Sequence, residues 1–485
     1  MFSFGASKII QQAANPVTQT AVPDDHFLKI HFLVVGGSLA GYASALSLCR
    51  AGHSVTVLDV EDKVETAWGN YGASVSPNLY RLLVQWEMVD ELRKHGTKAN
   101  RMHIVDYYTG ESLGFHNWEE ELLRDSGGDL VYCQLVDLKK MLLDKAVFYG
   151  AEIRHDVEVS GISVQKGSRP SARLTSGEVI EADVILGADG PKSVIRWQVI
   201  GQELNETPLG TALFNVCVPS EKMREDPELA ALLEAAHTTT IWTGKGYAAY
   251  TFTAGGEFTC YMYLPGTGTE DHWYQYIEPA ALSKLMAPCV PVLQRLVEAA
   301  NSISCFPLCE PPQVEPWVHP EGRVVLVGDA AHPFPRASTL GPAMNVGDAG
   351  MLGVLFSHLH FDSQIDTFLT AFETLRRDRT KKVLPIELTN VYHIIMPDGE
   401  QRQRRDAALR ERRDAGLDVF TGSDDDLAVT LWENDKFVFS YDVEEAAEEW
   451  WNDWGILDER ANDAVRLAAV QIPIVQIAKQ VERPL

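Results

Sequence analysis

The sequence predicts a mixed α/β chain in which a parallel βαβ fold begins near the N-terminus, is interrupted by an antiparallel sheet, resumes, and is followed by helices. Three observations predict it. A short apolar strand, His31 to Val35, runs directly into Gly36-Gly37-Ser38-Leu39-Ala40-Gly41 and a helix-forming stretch. Residues 237–265 alternate β-prone and aromatic residues across Gly-rich turns. The continuous run Arg323 to Gly328 then restores the pattern of a strand buried on both faces, and the chain beyond about residue 345 is mainly helical in character.

In chain order, residues 1–27 lack the apolar core of a secretory signal and carry Asp24 and Asp25, so they are expected to form a flexible tail. The first helix is predicted to reach about Ala51, with Ala40, Ala43, Leu46 and Leu48 as packing positions and Gly52 as its stop. Val55 to Leu58 forms the next strand and ends at Asp59, completing a βαβ unit. From Val157 to Asp189 the pattern is of short strands with turns such as Ser176-Gly177, and Thr238 to Trp242, Tyr247 to Thr253 and Phe258 to Leu264 read as antiparallel strands. The dense charge of residues 400–415 reads as a solvated helix face. The expected organisation is a tail (1–27), a first nucleotide-binding segment (28–200), an antiparallel sheet domain (201–315), a return segment (316–380) and a mainly helical C-terminal region (381–485).

Composition narrows the partners. Over 485 residues, 45% hydrophobic and 9% aromatic content is that of an ordinary globular enzyme, while a formal charge of −26 argues against nucleic acid and anionic membrane surfaces. The seven cysteines are scattered without a C-x-x-C pair, and Cys305 and Cys309 lack a second pair, so reduced thiols and no metal site are expected. No apolar run reaches the ~18 residues that cross a bilayer. Arg483-Pro484-Leu485 is not the usual peroxisomal tripeptide, which leaves the cytoplasm as the expected compartment.

A glycine turn between a strand and a helix lets backbone N–H groups approach a pyrophosphate at the positive end of the helix dipole. Gly36 and Gly41 hold the first and third glycine positions, Ser38 replaces the second and can cap the helix, and Leu39 and Ala40 complete the turn. Asp59 is placed to accept bonds from adenosine ribose hydroxyls. The turn does not say whether the ligand is NAD or FAD.

Two further stretches, taken with this one, resemble the FAD-dependent aromatic hydroxylases that include para-hydroxybenzoate hydroxylase and salicylate hydroxylase. One is Ala182-Asp183-Val184-Ile185-Leu186-Gly187-Ala188-Asp189-Gly190 with Ser193 and Arg196; the other is Gly328-Asp329-Ala330-Ala331-His332-Pro333 with Gly341-Pro342-Ala343-Met344-Asn345 and Asp348-Ala349. The resemblance implies a Rossmann-like FAD-binding domain interleaved with a substrate-binding antiparallel sheet. FAD contacts would come from Gly36, Ser38, Leu39, Ala40, Gly41 and Asp59, from Asp189, and from Asp329 at the ribityl chain. The first turn of the helix opened by Gly341, Ala343, Met344 and Asn345 would face the flavin pyrimidine edge, where reduced flavin carries negative charge. Gln134 looks like a flavin-contacting glutamine, and Ala73 and Ser74 lie in a stretch expected beside the isoalloxazine.

The implied cycle has NADH or NADPH reducing FAD, O₂ adding at the flavin C4a carbon, and the hydroperoxide passing oxygen to an electron-rich ring carbon. The expected pocket wall comprises Trp242, Tyr247, Tyr250, Phe252, Tyr261 and Tyr263 with Pro335 and Arg336. Tyr250 is expected to hydrogen-bond the substrate hydroxyl or accept its proton, and Arg336 to bind a substrate carboxylate or pair with a local acid. His332 reads as structural, and Trp450-Trp451 as core packing. The expected reaction is hydroxylation of a phenol or phenolic acid, with oxidative decarboxylation left open. An epoxidase, or an indole or terpenoid hydroxylase, would keep the same FAD motifs; a non-enzymatic binding protein of the same fold would not need them.

Overall fold

The computed structural model describes residues 27–61, 71–118, 120–202, 204–266, 275–286, 288–420 and 426–460. Most of the expected N-terminal tail and residues 461–485 of the C-terminal region lie outside the described residues.

A five-stranded parallel sheet carries the first half of the fold. It is built from β1 (His31–Val35), β2 (Ser54–Leu58), β8 (Glu152–Arg154), β12 (Val184–Gly187) and β19 (Val324–Leu326), in the order β19-β12-β1-β2-β8. Phe32, Leu33, Val34, Val184, Ile185, Leu186 and Val324 to Leu326 are fully buried, which is why these strands read as unbroken apolar runs rather than alternating ones. The helix Leu39–Arg50 packs against both Leu135–Phe148 and Gly341–Ser357. Its contact with the latter is close: a side-chain carbon at Gly353 would overlap Ser47. Small residues on both helices permit that approach.

Two small antiparallel sheets flank it, β9 (Val159–Ser163), β10 (Ser171–Leu174) and β11 (Val179–Glu181), and β3 (Gly72–Val75), β7 (Val131–Gln134) and β4 (Thr97–Lys98). The large sheet has eight strands in the order β17-β18-β13-β16-β15-β14-β5-β6. These are β5 (Arg101–Asp106), β6 (Ser112–Asn117), β13 (Thr207–Pro219), β14 (Thr238–Thr243), β15 (Ala248–Ala254), β16 (Glu257–Pro265), β17 (Gln275–Ile277) and β18 (Ser302–Glu310). All its neighbours are antiparallel except β14 and β5. Hence β5 and β6, within the segment expected to belong wholly to the nucleotide-binding half, extend the other sheet.

The charged helix Glu400–Asp414 differs from expectation. Arg402, Asp406 and Leu409 are buried on it, because the β5–β6 hairpin supplies counter-charges that sequence neighbours do not reveal. Arg402 lies 3.6 Å from Asp106, and Arg410 and Arg413 lie 3.0 and 2.8 Å from Glu111. Trp451 is buried and stacks on His358 at 4.3 Å. All seven cysteines are free thiols. Among the described residues no group of side chains could hold a metal ion, and no helix is long and apolar enough to cross a membrane.

Candidate active site

Parallel packing brings the carboxyl ends of β2, β1, β12 and β19 to one edge of the sheet, the position where α/β folds bind nucleotides. Gly36 follows β1 with φ 110°, a left-handed conformation that suits glycine, and a side-chain carbon there would run into the Ala188 backbone. Ser38 caps the helix Leu39–Arg50, its hydroxyl accepting from Gly41 N at 3.1 Å. After β2, Asp59 is buried and braced by Tyr42, whose hydroxyl donates to Oδ2 at 2.7 Å. Burial and that carboxylate hold the Tyr42 phenol above its ordinary range, so it remains the donor.

The carboxylate of Asp189 accepts from Val194 N at 2.7 Å, from Ile195 N at 3.1 Å and from the Ser193 hydroxyl, so it holds the N-terminus of the helix Val194–Ile200. The backbone of Ala188 and of Asp189 itself lies against Gly36 of the glycine turn. The neighbouring Arg196 ties two strand ends together, donating to the carbonyls of Pro191, Asp329 and Ala330.

After β19, Asp329 accepts from Asn345 Nδ2 at 3.1 Å. Asp348, fully buried, accepts from Gly328 N, His332 Nε2 and Arg376 Nε, each at 2.7 Å. Burial alone would raise its pKa, but His332 and Arg376 outweigh that and hold it below the usual range. His332 is thus one of three side chains in a buried structural cluster. Arg376 was not singled out from the sequence; among Arg377, Lys381 and Lys382 nothing marks it. Glu387 was missed for the same reason. It accepts from the N–H groups of Thr339 and Leu340 at 3.2 and 3.1 Å and from the Thr339 hydroxyl, pinning the turn that precedes the helix Gly341–Ser357. Burial nevertheless raises its pKa.

The donor set fits FAD. Among the described residues, Gln134 Oε1 and Asn345 Oδ1 are buried acceptors with no hydrogen-bond partner, suited to a ligand that brings N–H and hydroxyl donors. Gln134 ends β7 opposite Gly72 of β3, and its Nε2 donates to Ala254 O at 3.1 Å. Ala73 and Ser74 follow Gly72 along that strand. Gly341, Ala343 and Met344 sit in the first turn of their helix beside Asn345.

A cavity of about 210 Å³ adjoins this edge, reaching Ser74 of β3 and Thr339 and Leu340 of the pinned turn. Its sheet wall is Ile241, Thr243, Tyr250 and Tyr263; Glu387, Arg405 and Asp435 face it from helices. Of the aromatic residues expected there, Tyr250 and Tyr263 line it. Trp242 and Tyr247 pack on the opposite face of the sheet, because Ile241 pairs with Tyr250 and alternation turns Trp242 away. Phe252 and Tyr261 share the face of Tyr250 but pack beneath β3: a side-chain carbon at Gly72 would meet Phe252, and the Tyr261 hydroxyl donates to Gly72 O. Pro335 and Arg336 are not among the lining residues; Arg336 is hydrogen-bonded with Tyr71. Tyr250 is hydrogen-bonded to Tyr132, and burial pushes it up to about 12, so it keeps its proton and is suited to orienting a ligand rather than deprotonating it.

The FAD binding domain family matches residues 29–386. The FAD-dependent monooxygenase OpS4 of Beauveria bassiana is 25% identical over 387 residues, 78% of this chain and 89% of that one. The 3-hydroxybenzoate 6-hydroxylase of Klebsiella oxytoca is 24% identical over 381 residues, 77% of this chain and 90% of that one. A crystal structure of Klebsiella pneumoniae HpxO complexed with FAD and uric acid has the same fold, with TM-score 0.70 at 18% identity, covering 85% of this chain and 98% of that one. With its glycine turn, its second strand-end acid and its helix N-terminus on one cleft, this chain belongs to the FAD binding domain family and is an FAD-dependent monooxygenase of the aromatic-hydroxylase type.

Proposed function

We propose that the enzyme uses NADH or NADPH and O₂ to hydroxylate a phenolic ring held in the cavity beside β3. The observation that carries this reading is the continuity of the two sites: Thr339 and Leu340 line the cavity and lead directly into the helix expected to face the flavin. FAD, when bound, supplies the redox chemistry that activates O₂. The chain binds, orients and excludes water. Gly36 and Ser38 to Gly41 are assigned to the pyrophosphate, Asp59 to the adenosine ribose and Asp329 to the ribityl chain. Ala73, Ser74, Gln134 and the residues Gly341, Ala343, Met344 and Asn345 are assigned to the ring. Tyr250, held by Tyr132, is assigned to the substrate hydroxyl. The apolar walls keep bulk water from the reacting atoms.

The test is a panel of phenols added to the purified yellow protein, with NADH or NADPH consumption and product mass as readouts. Substrate-stimulated consumption with a product one oxygen heavier is expected. An FAD-loaded protein that no phenol stimulates would overturn the reading.

A further inference from the structure

The cavity contains an acid without a base of its own. Asp435, on the helix Asp426–Phe439, lines it, and none of the hydrogen bonds or ion pairs of the described residues reaches its carboxylate. The hydrogen bonds of the charged groups around it run elsewhere, and His393, which also lines the cavity, is bonded through Nδ1 to the Thr389 carbonyl at 2.8 Å. Glu387 is turned to the backbone of residues 339 and 340. Arg405 spends its donors on Asp406 at 2.6 and 2.9 Å, on the Thr243 hydroxyl at 2.9 Å and on the His393 carbonyl. Arg412 donates to the Asp418 carbonyl at 2.7 Å. His116, behind the cavity on β6, acts on Asp435 electrostatically only: its Nδ1 is 3.0 Å from Asp418, and its buried Nε2 makes no hydrogen bond to Asp435. One imidazole facing two carboxylates does not neutralise both. The cavity that Asp435 shares is lined by Trp118, Tyr132, Tyr250, Phe420 and Phe439, of which Tyr132 and Tyr250 feel its charge directly. A carboxylate among aromatic faces is the chemistry that recognises an organic cation. It also repels a second carboxylate held nearby.

We propose that the cavity takes a phenolic amine, whose protonated nitrogen is held by Asp435 between the aromatic walls, and that it discriminates against phenolic acids. This rests on the reading of the cavity as the ring-binding site and names the class of ring it binds.

The experiment is calorimetric titration of the FAD-loaded enzyme with three phenols of similar shape, tyramine, tyrosol and para-hydroxyphenylacetate, which end in an ammonium, an alcohol and a carboxylate. Tyramine is expected to bind about ten-fold more tightly than tyrosol, with the acid weakest. In Asp435→Asn the three should fall within about two-fold of one another, the charge term being gone. A readout without a variant uses pH: burial raises the Asp435 carboxyl to about 7, so the preference of the wild type for tyramine should fade as the pH drops below that value. The acid or the alcohol binding as tightly as tyramine, or an unchanged ranking in Asp435→Asn, overturns the proposal while leaving the cavity as the ring site. Binding by none of the three overturns both.

Discussion

A carboxylate removed from water needs partners for its lone pairs, and Asp348 has them in Gly328 N, His332 and Arg376. These partners fix the Gly328–His332 turn relative to the helix that begins at Gly341. Arg376→Ala would strip buried Asp348 of its guanidinium partner, leaving only Gly328 N and His332, and a loss of about 3 kcal/mol is expected by denaturant unfolding, with weakened FAD retention. Asp435 is the opposite case, a buried acid with little to stabilise its charge. Its folded pKa of about 7 lies above the ordinary aspartate value, so the folded state holds that proton more tightly than the unfolded chain. The stability this contributes is present at low pH and is lost as the pH rises through about 7. Asp435→Asn should therefore melt above the wild type in alkaline buffer, with the difference closing towards pH ~4, where aspartate protonates in the unfolded chain as well. Melting temperatures across that range check it.

At the scale of elements, the period-two alternation of β14 and β15 decides which aromatics face the cavity. Ile241 pairs with Tyr250 and Tyr250 with Tyr261, so odd and even positions separate cleanly onto two faces. The helix Glu400–Asp414 then closes the far side, and Arg405 is its anchor to Thr243 and to the end of the helix Gln364–Ile394. Arg405→Ala should loosen that closure. The expected outcome is faster amide exchange across residues 400–414 and a lower ratio of hydroxylated product to NADH or NADPH consumed, as water enters the cavity.

At the scale of the molecule, one long helix joins the two sites. Gln364–Ile394 carries Arg376 into the Asp348 cluster that holds the Gly328–His332 turn, Glu387 into the turn before the helix Gly341–Ser357, and Val391 and Ile394 into the wall of the cavity. Cofactor binding and cavity order should therefore be coupled. Adding FAD to cofactor-free protein at about a hundred times its dissociation constant is expected to stabilise the fold by ~2.7 kcal/mol. Protection should extend beyond the glycine turn to residues 387–394, measured by amide exchange. Exchange slowed near Gly36 alone would show the two sites to be independent.

The sequence by itself determined the order of the fold, the glycine turn, both strand-end acids Asp59 and Asp329, and the helix start at Gly341, because each is a local pattern set by backbone geometry. It also carried the reading of His332 as structural. It did not reveal Asp189 as a helix cap, Arg336 beside Tyr71, or the burial of the helix Glu400–Asp414. The last two depend on partners distant along the chain, as do Glu387, Arg405 and Asp435, which stand in helices with no motif around them. Tertiary structure alone decided the face each aromatic shows and which acid was left without a base. A charge's environment is set by what folds against it, and spacing along one chain does not encode that.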